Sequence, residues 1–134
     1  MDEQRNAKRF LIVDDDSIFH FLITKMLSRI GITPDSVDTS LSGKEALDRI
    51  VEWQLGGKPV PDFIFLDLNM PIMGGFAFLE ACNKLPEKLP PSTQIAIISS
   101  SLDKRDHDRA LGLGAQFYIV KPVTEGDLNR ILNK

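Results

Sequence analysis

The sequence predicts an α/β fold in which five β-α units build one parallel sheet covered by helices, and three observations carry that prediction. Short continuous apolar runs recur along the chain, at 9–13, 63–66, 95–98 and 117–120. Each run ends abruptly in a polar residue: Asp14, Asp67, Ser99 and Lys121. The segments between them carry apolar residues at three- and four-residue spacing. Continuous Ile, Val and Phe runs suit strands buried on both faces of a parallel sheet. The intervening spacing suits helices packed on that sheet.

The elements follow in order. The first run, Arg9-Phe10-Leu11-Ile12-Val13, is the first strand. From 17 to 30, Phe19, Leu22, Ile23, Met26, Leu27 and Ile30 form an apolar stripe, and Gly31 stands where a helix C-cap belongs. A weaker run at 36–39 reads as an edge strand. Ser42-Gly43-Lys44-Glu45 resembles a capping box opening a helix to about residue 55. Phe63-Ile64-Phe65-Leu66 is the third strand, followed by a helix over 75–85. Ile95-Ala96-Ile97-Ile98 leads to a helix over 103–113, stopped by Gly114. Phe117-Tyr118-Ile119-Val120 leads to a last helix that Thr124-Glu125-Gly126-Asp127 caps. Alternation of this kind implies right-handed crossovers with helices on both faces. Segments 56–61 and 86–92 are Pro/Gly-rich surface loops.

Composition narrows the function. The 134 residues suit one domain, and 43% apolar with 26% charged residues argues against disorder. A formal charge of −3 does not suggest nucleic acid as a partner. Cys82 is the only cysteine, so no internal disulfide forms and a cytoplasmic location is expected. No apolar stretch approaches the roughly 20 residues that cross a bilayer, so no membrane role is expected.

Ligands of open α/β sheets bind outside the carboxyl ends of the strands. Strand periodicity places Asp14, Asp15, Asp67, Ser99 and Lys121 on that one rim. Three neighbouring carboxylates repel one another unless a cation lies between them, and Mg²⁺ suits an all-oxygen set. A lysine beside such an ion neutralises the oxygens of a transferring phosphoryl group, and a serine hydroxyl hydrogen-bonds one of them.

Four motifs then resemble the receiver domains of two-component signalling: Phe10-Leu11-Ile12-Val13-Asp14-Asp15-Asp16, Phe65-Leu66-Asp67-Leu68-Asn69-Met70-Pro71, Ile97-Ile98-Ser99-Ser100 and Tyr118-Ile119-Val120-Lys121-Pro122. The resemblance implies a flavodoxin-like, doubly wound (βα)5 sandwich with strand order 2-1-3-4-5. It assigns residues 1–8 to a polar lead and 9–134 to the receiver, with no output domain. It implies that Asp67 is the phospho-acceptor. Mg²⁺ is expected on Asp15, Asp67 and the Asn69 backbone carbonyl, with Asp14 acting through water. Ser99 and Tyr118 match the family's switch pair, and Lys121 its lysine, at a Lys-Pro junction that is commonly cis. The implied partners are a sensor histidine kinase or histidine phosphotransfer protein upstream and a protein effector downstream. Such a switch is not an enzyme in the ordinary sense, though it supports its own phosphoryl transfer and dephosphorylation. Two departures are noted: Gly74-Gly75 is expected to loosen the loop after Asp67, and Ser100 stands where Ala is common.

Each residue alone has a plainer reading. An Asp after an apolar run caps a helix, and Asp16 is assigned that role. Tyr118 alone is a half-buried strand aromatic, and Lys121 alone a surface lysine. His20 and His107 read as exposed helix residues, Cys82 and Trp53 as packing. Ile18 and Phe21 fall opposite the first helix's stripe, and exposed apolar residues near a site suggest a docking surface, which the resemblance assigns to the phosphodonor. Asn69 and Ser101 flank the path of a hydrolytic water. Two rival readings exist. A haloacid-dehalogenase-type phosphatase requires an acid where Asn69 stands, and a phosphorylation-independent interaction module would have no use for the whole set.

Overall fold

The computed structural model describes residues 8–133; residues 1–7 of the expected polar lead and Lys134 lie outside them. Five strands alternate with five helices: β1 (Phe10–Val13), α1 (Ser17–Arg29), β2 (Val37–Ser40), α2 (Gly43–Leu55), β3 (Phe63–Leu66), α3 (Gly75–Asn83), β4 (Gln94–Ser99), α4 (Lys104–Gly112), β5 (Phe117–Val120) and α5 (Glu125–Leu132). A single 3₁₀ turn, Pro34–Ser36, precedes β2. The sheet is wholly parallel, in the order β2-β1-β3-β4-β5.

The apolar runs are strands because both of their faces are covered. Leu11, Val13, Ile64, Leu66, Ile95 and Ile97 point to one side, where Ala46 and Ile50 of α2, Phe78, Leu79 and Cys82 of α3, and Ala110 of α4 pack on them. Phe10, Ile12, Phe63, Phe65, Ala96, Ile98 and Ile119 point to the other, against Ile23 and Leu27 of α1 and Leu128 and Ile131 of α5. Phe10 stacks on Phe63 at 5.0 Å and meets Phe65 edge-on at 5.7 Å. Burial of each such ring contributes about 1.5–3 kcal/mol.

Helix starts follow the expected chemistry. The Asp16 carboxylate accepts the Ile18 backbone N–H at 2.9 Å, which confirms it as the α1 cap. Thr124 and Asp127 form a complete capping box, each accepting the other's backbone N–H. Ser42 supplies one arm of the other, accepting the Glu45 N–H at 3.1 Å. The edge strand lies one residue later than expected and α3 ends two residues earlier.

The stripe on α1 is rotated from its expected position. Ile23 and Leu27 are buried as foreseen, but His20 joins them, Phe19 and Met26 are half-buried, and Leu22 is 53% exposed. The reason is local. Phe19, Leu22 and Met26 face the turn after β5, where they line a groove of about 360 Å³ with Pro122 and Val123, and Phe19 and Met26 also pack on the edge of the core.

Candidate functional site: an acidic pit at the carboxyl edge of the sheet

The strand order reverses between β1 and β3. β1 leads into α1 on one face, while β3 leads into α3 on the other, so a crevice opens between their carboxyl ends. Val13 and Leu66 are register partners, and the ladder continues one step further through the Asp67 N–H to the Val13 carbonyl at 2.9 Å. The Asp14 N–H likewise donates to Ser40 at 3.1 Å. These two main-chain bonds fix where the carboxylates of Asp14 and Asp67 begin.

Carboxylate oxygens of Asp14, Asp15 and Asp67 all lie within 4.8 Å of one another. Asp14 and Asp67 are buried, and Asp15 is exposed. Lys121 reaches across 107 positions of sequence to donate to the Asp14 carboxylate at 2.9 Å, with its ammonium 4.5 Å from the centre of the Phe19 ring. The other Asp14 oxygen accepts the Asp16 backbone N–H at 2.9 Å. The Asp67 carboxyl is pushed above the ordinary carboxylate value, first by burial and then by the Asp14 charge. The Lys121 ammonium and the backbone N–H groups of Asn69 and Leu68 act the other way. Hard oxygen donors gathered this closely, with the charged form of Asp67 disfavoured by burial and by Asp14, fit a hard divalent cation.

Ser99 ends β4 fully buried, its hydroxyl accepting the Ser101 N–H at 3.2 Å. Ser101 in turn donates to Asp106 at 2.7 Å and lends its carbonyl to the Tyr118 hydroxyl at 3.1 Å. Tyr118 is half-buried, with the exposed His107 ring against it at 5.0 Å. The Lys121-Pro122 peptide is cis. Asn69, Ile18 and Phe21 are exposed, the last two at 68% and 61%.

Two expectations are corrected. Gly74 and Gly75 do not loosen the loop after Asp67. A Cβ on Gly75 would sit 2.5 Å from the Asp67 carbonyl oxygen, and one on Gly74 would sit 2.9 Å from that of Leu68, so α3 can start against the end of β3 only with glycine there. His20 is not exposed: it is buried, with Nε2 2.6 Å from the Asp14 carbonyl oxygen. Its spacing from Ile23 and Leu27 is the helical signal that could have revealed it. The Ser101–Asp106 bond was also missed; it is a local contact between the loop after β4 and the first turn of α4.

Comparison with known proteins identifies this arrangement. The response regulator receiver domain family matches residues 10–133. The chain belongs to that family. The receiver is 34% identical over 116 residues to a protein-glutamate methylesterase/protein-glutamine glutaminase of Archaeoglobus fulgidus, covering 85% of this chain and 30% of that protein. It is 32% identical over 125 residues to the Regulator of RpoS of Escherichia coli, covering 93% of this chain and 33% of that protein. It thus spans about a third of either relative's length. A two component response regulator from Cytophaga hutchinsonii superposes with a TM-score of 0.83 at 28% identity, covering 93% of each chain. The receiver is a phosphorylation-activated signalling switch of the two-component type. No helix among the described residues is long and apolar enough to cross a membrane.

Proposed function

We propose that this receiver accepts a phosphoryl group on Asp67 in the presence of Mg²⁺, and that Asp15, Asp67 and the Asn69 backbone carbonyl would hold the ion, with Asp14 acting through water. The carrying observation is the acidic triad within 4.8 Å with Lys121 anchored 2.9 Å from Asp14. When bound, Mg²⁺ supplies neutralising charge to the carboxylates and to the phosphoryl oxygens. An Asp67 oxygen attacks phosphorus in line, a P–O bond forms, and the P–N bond of a phosphohistidine donor breaks with its electron pair returning to the imidazole. Lys121 leaves its pairing with Asp14 to meet a phosphoryl oxygen, a positioning role that requires no new proton transfer. Water later cleaves the acyl phosphate and restores the carboxylate, past Asn69 and Ser101.

The readout follows from the bonds at β4. A phosphoryl group of roughly −2 charge attracts the Ser99 hydroxyl. That hydroxyl then gives up the Ser101 N–H, the residue to which Tyr118 is tied. The α4-β5-α5 face changes its packing as a population shift, presenting a surface to a protein effector. A histidine kinase or phosphotransfer protein fits the exposed Ile18 and Phe21 beside the apolar groove of α1. Phe21→Ser is expected to slow transfer from such a donor while leaving transfer from acetyl phosphate unchanged. A cytoplasmic location fits the lone free cysteine, whose burial pushes its thiol to about 12 and keeps it inert.

The deciding experiment is intact-mass measurement after incubation with Mg²⁺ and acetyl phosphate. Wild type gains one phosphoryl group, and Asp67→Asn and Mg²⁺-free wild type gain none. Absence of the gain on wild type refutes the proposal.

A further inference from the structure

We propose that His20 is a positioning residue for the metal-binding acids, holding the peptide between Asp14 and Asp15 so that the Asp15 carboxylate is aimed at Asp67. The inference rests on the Mg²⁺-dependent reading above and assigns a role to a residue that reading does not use.

The Asp14 carbonyl can only accept, so the His20 bond at 2.6 Å requires the ring proton on Nε2. Nδ1 is buried with no hydrogen-bond partner among the described residues. A side chain serving only to fill this helix position would be aliphatic, as its neighbours Ile23 and Leu27 are. Histidine instead brings one bond and leaves one nitrogen unsatisfied, which is unfavourable in a buried site. The single bond is therefore the feature that distinguishes it.

That bond falls where the acid cluster is least supported. The Asp14 carboxylate is held by Lys121 and by the Asp16 N–H. Asp15 is exposed, and its side chain has no hydrogen bond or ion pair among the described residues. Its direction is set by the main chain alone. On its carboxyl side, Asp16 is fixed as the α1 cap and its carbonyl accepts the His20 N–H at 3.3 Å. On its amino side, the Asp14 carbonyl belongs to the same peptide plane as the Asp15 N–H, and the His20 ring holds that plane. His20 thus ties the acidic turn to the first turn of α1 from both ends. Groups that orient metal ligands without touching the metal change affinity by about 10–100-fold when removed.

The test uses the full chain and Mg²⁺ itself. His20→Phe keeps a ring and removes the donor; His20→Gln keeps an N–H at similar reach. By isothermal titration, His20→Phe should bind Mg²⁺ about tenfold more weakly than wild type. His20→Gln should bind more tightly than His20→Phe and recover most of that roughly tenfold loss, because it restores the N–H donor. At saturating Mg²⁺, phosphorylation of His20→Phe by acetyl phosphate should match wild type, so the defect lies in half-saturation and not in rate. Cooperative thermal melts establish folding, and His20→Leu replaces the Phe variant if that ring is not accommodated. Wild-type affinity in a folded donorless variant overturns the proposal, as does a Gln variant as weak as the donorless one. Wild type that binds no Mg²⁺ overturns the reading beneath it, a distinguishable result.

Discussion

Asp67→Asn should make the metal-free protein more stable at neutral pH, although it removes the proposed phospho-acceptor. Asp67 is 8% exposed, and its oxygens lie within 4.8 Å of two other carboxylates. A pair of unit charges at that distance repels by about 3.5 kcal/mol at an effective dielectric of about 20, and by about 0.9 kcal/mol at that of water. Burial of the charged carboxylate is the larger cause and the Asp14 charge the next, while Lys121, 2.9 Å from Asp14, acts against both. The expected gain is therefore about 1–3 kcal/mol, a rise in Tm of roughly 3–10 °C for a domain of this size. Asparagine keeps an acceptor for the Asn69 and Leu68 N–H groups, so little is lost in exchange.

The pH dependence carries a definite sign. The folded Asp67 carboxyl is raised above its unfolded value, so between the two values the folded state binds more protons than the unfolded chain. Stability is lost as pH rises through that interval, and the loss persists above it. The advantage of Asp67→Asn should be full at pH 7 and vanish as pH falls below the unfolded carboxylate value near about 3.9. Saturating Mg²⁺ should narrow it at pH 7, because the ion stabilises wild type more than the variant. Thermal melts in chelator from pH 3.5 to 7.5, repeated with Mg²⁺, measure all of this. A variant that melts at or below wild type at pH 7, or an advantage that does not shrink with acid, refutes the electrostatic account.

Other perturbations have equally defined outcomes. Lys121→Ala strands the buried Asp14 carboxylate, which should cost about 1–3 kcal/mol in denaturant melts without metal and slow acetyl-phosphate labelling at least tenfold. Ile72 holds a β-branched side chain at φ 69° while 90% exposed, so Ile72→Asn should relieve backbone strain with little lost burial. A gain of about 1 kcal/mol in denaturant titration is expected, the lower end of the roughly 1–2 kcal/mol penalty of the left-handed region, since Asn keeps part of it. Gly75→Ala drives a methyl to within 2.5 Å of the Asp67 carbonyl oxygen. It should destabilise by about 1–3 kcal/mol, as overpacking does, and lower phosphorylation by displacing Asp67.

The strands and the rim were legible without coordinates because a buried parallel strand has no polar alternation. It appears as an unbroken apolar run, and the first polar residue after it must stand at the sheet's edge. That logic placed Asp14, Asp67, Ser99 and Lys121 together, and each lies where its strand ends. Caps were legible for a related reason: Asp16 and Thr124 act on N–H groups within three residues of themselves.

What only the tertiary structure decided are contacts made across the fold. Helical spacing defines a stripe but not its final rotation, which in the fold leaves Leu22 half in solvent beside the groove at Pro122 and buries His20. The pairing of Lys121 with Asp14, the tie from Tyr118 to Ser101 and the seat of Gly75 on the Asp67 carbonyl join elements with no local signal for one another. Local periodicity determined which residues reach the pit. Packing between helices and sheet decided how their oxygens and nitrogens face one another, the orientation on which the proposed metal binding and phosphoryl transfer depend.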